Sequence, residues 1–187
     1  MKKLLFIIVL LFVKTISIAQ YFDGVKIDGS LYSVVQSYKK KGYEIYKNLE
    51  NCVVLSGKLF GDDIELFIHS TPTTKIAYKA VVYLPKKDSW YRLKTSYETY
   101  LTAFKEKYGV PVNSYSFFDS PYYEGDGYEE SAVANDKVVY GSFWYDYYNT
   151  NIYLGISKYM QVQISYENAK NIIIAEKEHK EKQKRVF

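Results

Sequence analysis

A single cysteine, Cys52, is the whole thiol complement of this 187-residue chain. No intramolecular disulfide can form, so a buried core must hold the fold. A chain of this size buries roughly 70% of its unfolded surface, which is enough for one. Histidine is nearly as scarce, with two residues, and it is the usual acid–base group near neutral pH. His179 falls in a charged tail. His69 falls at a strand end, about 13 Å along the strand from Glu65, too far for that carboxylate to orient it. Cys52 becomes a nucleophile only with a base beside it. His69 is the one candidate, and nothing in the spacing demands that the two meet. The histidines and the cysteine lack metal-ligand spacing. No glycine-rich loop follows a strand in the way a phosphate cradle requires. No cofactor and no metal site are therefore expected.

Long apolar runs are also missing. The longest, residues 4–13, has ten residues, half of the ~20 that a bilayer-spanning helix needs. Its setting explains it. Lys2 and Lys3 precede it, and Ser17-Ile18-Ala19 stands just before Gln20. A charged start, an apolar middle and small residues at −3 and −1 make residues 1–19 a secretory signal peptide. The expected location is periplasmic or secreted, with no membrane span after cleavage. Gln20 rather than cysteine stands at the junction, so no lipid anchor is expected. The leader also carries three of the 25 basic residues and no acid; without it, 22 basic groups face 21 acidic ones. A mature charge this close to zero gives no electrostatic footprint for nucleic acid.

What remains reads as alternating helices and strands. Residues 22–27 form a short strand. Leu31, Val34, Val35 and Tyr38 recur at helical spacing behind Ser30, which predicts a helix over 30–41 ending at Gly42. Strands follow at 43–47, 52–60, 64–70 and 75–84. Asp88 and Ser89 open a second helix whose stripe is Leu93, Tyr97, Tyr100, Leu101, Phe104 and Tyr108, closed by Gly109 and Pro111. Further strands are expected at 112–118, 137–145, 151–157 and 159–166, with a short helix at 127–135 capped by Asp126 and Glu129. In the last strands Ile152, Leu154 and Ile156 share one face, as do Met160, Val162, Ile164 and Tyr166. Gln161, Gln163 and Ser165 lie opposite, so one side is buried and the other wet. The fold class is α+β: one antiparallel sheet of six to eight strands with helices on one face. Residues 20–170 make a single domain, and 171–187 a charged helical tail, docked at its start and solvated beyond.

Two stretches resemble each other: VVLSGKLFGDDIELFIHS (53–70) and VVYGSFWYDYYNTNIYLGIS (138–157). Both run from Val-Val through an Asp-containing turn into Ile-x-Leu-x-Ile. They suggest two α-then-β-meander units, residues 30–84 and 89–166, the second with an insertion at 119–136; chance likeness of apolar strands explains them equally well. On the segments FDGVKIDGSL, GKLFG, KEKYGVP, GDGYEESAV and VQISYEN, the chain resembles uncharacterised secreted α+β proteins of Gram-negative gut anaerobes. As a fold, the tandem helix-plus-meander is similar to β-lactamase-inhibitory-protein-like modules. The resemblance implies export and fold, and no activity.

The outlying feature is tyrosine, with 22 residues. Its stiff ring and polar tip suit half-buried strands and binding surfaces alike. Phe143, Trp144, Tyr145, Tyr147 and Tyr148 crowd six consecutive positions. Tyr140 and Trp144 fall on one face of their strand, Phe143 and Tyr145 on the other, and only one set can fill the main core. Tyr147 and Tyr148 are expected at a hairpin tip, joined by Tyr122, Tyr123 and Tyr128 of the insertion in a Tyr-rich patch. The acidic stretch from Asp119 to Glu130 lacks the spacing of an EF-hand and reads as a cap plus solvated loop. These readings favour a non-catalytic binding or accessory protein that recognises a protein or glycan through those loops. A hydrolase using unrecognised carboxylates and an envelope structural component are the competing readings.

Overall fold

The computed structural model describes residues 21–146 and 150–184. The leader, Tyr147, Tyr148 and the final three residues lie outside the described residues. Strands β1 (Tyr21–Phe22) and β2 (Val25–Lys26) replace the single strand expected at 22–27. The reason is local. Asp23 (φ 45°) and Gly24 (φ 73°) both adopt the left-handed conformation of a tight two-residue hairpin turn.

Helix α1 (Leu31–Lys40) starts where Ser30 Oγ accepts a hydrogen bond from Ser33 N at 3.1 Å, satisfying one of the orphan donors of the first turn. It buries Val34, Val35 and Tyr38. A four-strand meander follows: β3 (Glu44–Leu49), β4 (Cys52–Leu59), β5 (Asp62–Ser70) and β6 (Ala77–Tyr83). Helix α2 (Trp90–Tyr108) is capped by Ser89 and buries Trp90, Leu93, Tyr97, Tyr100 and Phe104. A second meander comprises β7 (Asn113–Phe118), β8 (Val138–Asp146), β9 (Thr150–Ser157) and β10 (Gln161–Asn168), with α3 (Glu129–Ala134) inserted after its first strand. Helix α3 is shorter than expected and its cap differs. Asp126 accepts from Tyr128 N, two residues on, at 2.7 Å, and Glu129 accepts from Gly125 N at 2.7 Å. That is an Asx-type turn in place of a capping box.

The eight strands form one open antiparallel sheet in the order β3-β4-β5-β6-β10-β9-β8-β7. Each half is a helix followed by a four-strand meander, and the fourth strands of the two halves pair. One cross-strand row reads Leu55, Leu66, Val82, Ile164, Leu154, Ser142, Ser114. Leu66 beside Val82 is matched by Leu154 beside Ile164, so the halves meet about a local two-fold at the Val82–Ile164 pair. Counting from that pair, Gly57 corresponds to Trp144, and the Val-Val pair of β8 stands two residues further from the shared row than that of β4, while β9 matches β5 without a shift. A two-residue shift keeps every side chain on its own face.

Helices pack on one face, here called inner. Helix α1 lies against β5, and α2 against β9 and β10. Leu55, Leu66, Ile68, Ala80, Val82 and Leu154 are fully buried there. Helix α4 (Ala169–Lys184) runs across one end of the sheet. Asn171 Nδ2 donates to Ala77 O at 2.8 Å, and Lys182 reaches Glu50 at 2.8 Å. The buried Glu178 carboxylate accepts from Thr73 N (2.7 Å), Thr74 N (3.2 Å) and Thr74 Oγ1 (2.6 Å). Burial opposes its ionisation, but those hydrogen bonds prevail and hold the carboxyl below its usual range. The docked part of the tail therefore extends further than its charge pattern suggested.

Candidate functional site: the outer face of the sheet

The other face of the sheet alternates with the inner one, and its side chains are chemically distinct. A row across it reads Glu65, Tyr83, Gln163, Gly155, Gly141, Tyr115. The next row reads Val54, Phe67, Val81, Ser165, Tyr153, Phe143. Short residues here are buried, Val54 at 3% and Ser165 at 3% exposure, beneath neighbouring rings. The rings form two groups. Phe67 meets Tyr83 edge-on at 5.4 Å and lies parallel to His69 at 6.4 Å. Phe143 meets Tyr153 at 4.9 Å, Tyr115 at 6.2 Å and Tyr145 at 6.4 Å.

Two glycines shape the surface between the groups. A Cβ on Gly155 would fall inside the Tyr153 phenol, and one on Gly141 would sit 3.0 Å from Tyr153 Cε2. The Tyr153 ring therefore lies along the sheet, over backbone that carries no side chains. Tyr159, in the β9–β10 turn, stands 59% exposed beside Tyr83, and burial together with the Tyr159 phenol raises the Tyr83 pKa. A depression of about 410 Å³ opens here, lined chiefly by Glu65, Phe67, His69, Tyr83, Tyr159 and Gln161. Larger hollows lie elsewhere, of about 520 Å³ along α2 and about 690 Å³ beside Tyr43. Several of their charged side chains are paired with each other, Arg92 with Asp88, Lys41 with Asp23 and Lys58 with Asp63, and neither gathers a ring cluster.

Hydrogen bonding separates the faces further. The phenols packed beneath the helices all have protein partners. Tyr38 donates to Phe22 O, Tyr43 to Asp23, Tyr100 to Asp62 and Tyr140 to Glu124; Tyr97 pairs with Ser142, and Tyr108 with Tyr166. Among the described residues, no protein atom bonds the hydroxyls of Tyr83, Tyr115, Tyr145, Tyr153 or Tyr159.

The outer face also brings Cys52 and His69 together as direct cross-strand partners, next to Lys79 and Glu167. Spacing alone did not demand this. Yet among the described residues no hydrogen bond joins them. Burial pushes the Cys52 thiol up to about 11, which keeps it protonated at neutral pH. Burial and the Lys79 charge push His69 down. Both groups favour their neutral forms, the opposite of an activated Cys–His pair.

The acidic loop is occupied by structural bonds. Glu124 accepts from Trp90 Nε1 (3.3 Å), Tyr140 (3.1 Å) and Lys94, and Glu130 accepts from Trp90 N at 2.7 Å. These contacts pin the loop to the helix side of the sheet. Asp126 accepts from Tyr123 N at 3.1 Å as well as from Tyr128 N, so one carboxylate organises the backbone at both tyrosines. Tyr123 and Tyr128 are exposed, at 65% and 64%. Tyr122 instead packs partly buried against the core and accepts from Asn135 Nδ2 at 3.3 Å. The structure thus places Tyr123 and Tyr128 on the side opposite the outer rings, and Tyr147 and Tyr148 lie outside the described residues. Among the described residues, no three acidic, histidine or cysteine side chains gather as metal ligands.

No protein-family model, curated protein or solved structure matches this chain. The functional argument therefore rests on the geometry.

The outer-face residues Phe67, Tyr83, Tyr115, Tyr153 and Tyr159 were not among those singled out by the sequence. A signal was present. Strand β5 alternates Ile64, Leu66, Ile68 with Glu65, Phe67, His69, and Phe143 and Tyr145 oppose Tyr140 and Trp144.

Proposed function

We propose that this protein is a non-catalytic, extracytoplasmic binding module whose ligand lies on the outer face of the sheet. The observation that carries the reading is the contrast in phenol bonding. Buried inner tyrosines are satisfied within the protein, whereas on the outer face even the half-buried Tyr83 and Tyr153 have no protein partner among the described residues, which leaves five phenols there for a ligand. Rings of this kind give large contact area at low entropic cost, the chemistry of a recognition surface. The leader-like N-terminus supports export. A hydrolase acting through two carboxylates needs them about 5–10 Å apart across a cleft, and the outer depression has one, Glu65. The test is fluorotyrosine labelling of the mature protein, titrated separately with the glycan and the protein fractions of an envelope extract. Resonances of Tyr83, Tyr115, Tyr153 and Tyr159 should shift while those of Tyr32, Tyr91 and Tyr123 stay in place. Shifts confined to the helix side, or none, would refute it.

A further inference from the structure

Resting on that reading, we infer that the ligand is a neutral linear glycan laid across the strands, with one sugar ring seated in the Phe67–Tyr83–Tyr159 depression.

Four observations carry this. The depression measures about 410 Å³, within the range of small-ligand sites and suited to a sugar ring rather than a folded partner. Its chemistry is mixed in the way a sugar requires. The axial C–H groups of a pyranose pack on an aromatic face, while its equatorial hydroxyls need donors and acceptors around the rim. Tyr83, Phe67 and Tyr159 supply rings. Glu65, His69 and Gln161 supply the rim. The Gln161 amide nitrogen is held by Leu84 O at 2.9 Å, which leaves the amide oxygen as acceptor. A neutral His69 imidazole, favoured by its burial, both donates and accepts.

Next, charge is balanced. Lys79 and Glu167 are paired at 2.7 Å, and Lys158 sits 5.6 Å from the Tyr159 ring, near the single carboxylate of the depression, Glu65. No cationic cluster exists among the described outer-face residues to hold a polyanion, and no anionic one to hold a polycation.

Finally, the site is extended. From Tyr83 on β6 the row passes Gln163 on β10 to the Gly155–Gly141 floor on β9 and β8, which the Tyr153 ring covers. Two strand steps separate Tyr83 from Tyr153, about 10 Å. That exceeds one sugar ring and matches a second or third ring of a chain running perpendicular to the strands. A polypeptide partner would be expected to bond a free strand edge, and this row crosses the sheet interior where all backbone groups are already paired.

The test is isothermal titration of the mature protein with cello-, xylo- and malto-hexaose, with hyaluronan and heparin oligosaccharides of matching length as charged controls. At least one neutral hexaose should bind in the micromolar to millimolar range, and the charged ones should not. Tyr83→Ala and Tyr159→Ala should each weaken binding about tenfold, the scale of one aromatic anchor. Tyr91→Ala, on the exposed side of α2, should leave it unchanged. Circular dichroism and thermal melting confirm that the variants fold, and Tyr159→Ala removes a 59%-exposed ring, so it is the decisive variant. Binding of charged oligosaccharides only, or of none, overturns the glycan assignment. If the fluorotyrosine titration then still shows the outer rings shifting with the protein fraction, the binding-face reading survives without the glycan. If nothing shifts, both fail.

Discussion

The two faces of the sheet hold the same residue type for opposite purposes. On the inner face, Tyr38, Tyr97, Tyr140 and Tyr166 are buried beneath helices, and each phenol is tied to a protein atom. A buried hydroxyl left without a partner costs about 1–3 kcal/mol, so those bonds are a condition of placing tyrosine there at all. On the outer face, Tyr83 and Tyr153 are half-buried by their neighbours, and Tyr145 and Tyr159 are exposed, and no protein atom among the described residues bonds their hydroxyls. The abundance of tyrosine therefore says little by itself. The partner of each phenol tells core from surface.

Deleting inner-face volume should give the largest effect. Leu154→Ala and Leu66→Ala each remove a fully buried side chain and should cost about 2–5 kcal/mol by urea unfolding. Tyr83→Ala on the outer face should cost less than either. Equal losses would erase the distinction between the faces. Gly155→Ala comes next, at about 1–3 kcal/mol. Its new methyl would displace the Tyr153 ring tip and stand 2.8 Å from Tyr140 O, a backbone atom that cannot easily yield. Combining it with Tyr153→Ala should recover only part of the loss, because the backbone contact remains. Full recovery would mean that the ring alone sets the need for glycine.

Removing single hydroxyls sharpens the comparison further. Tyr97→Phe strands the buried Ser142 hydroxyl, leaving it Ser114 alone as partner at 2.9 Å, and should cost about 1 kcal/mol. Tyr153→Phe and Tyr83→Phe should leave stability nearly unchanged. Alkali probes a buried inner phenol directly. Burial, aided by the Asp62 charge, pushes the Tyr100 phenol up to about 12. A phenol raised above its unfolded value of about 10 favours the folded state in its neutral form. That stabilisation is complete below about pH 10 and is lost as pH climbs toward about 12. Tyr100→Phe should flatten this limb of the stability–pH curve, and an unchanged slope would remove Tyr100 as its source.

Much of the inner face was legible. The Ile-x-Leu-x-Ile runs at 64–68 and 152–156, with Ser30 and Ser89 ahead of helical stripes, prescribe which side chains point inward and where the helices start. What escaped was register and strand order. The β4–β5 turn was centred on Gly61 to Asp63, but the two left-handed residues are Phe60 (φ 50°) and Gly61 (φ 93°), which pair Leu59 with Asp62. Counting outward from that pair sets Cys52 opposite His69. A turn placed at 61–63 sets Cys52 opposite residue 72, three positions from His69, and that is enough to hide the contact. The pairing of β6 with β10, which lays Tyr83 and Tyr153 along one surface, joins residues 80 positions apart and leaves no local trace.

The smallest expected effect concerns the loop that the sequence favoured. Tyr123 and Tyr128 are exposed, and their side chains make no hydrogen bond among the described residues; Asp126 binds their backbone amides, which alanine retains. A Tyr123→Ala/Tyr128→Ala double variant should therefore stay within about 0.5 kcal/mol of the parent. Because Glu124 ties the loop to Trp90 and Tyr140 on the helix side, the same variant should leave oligosaccharide affinity unchanged in the titration. An affinity loss matching that of Tyr159→Ala would move the recognition surface to the helix side. The outer rings would then be packing that happens to face water.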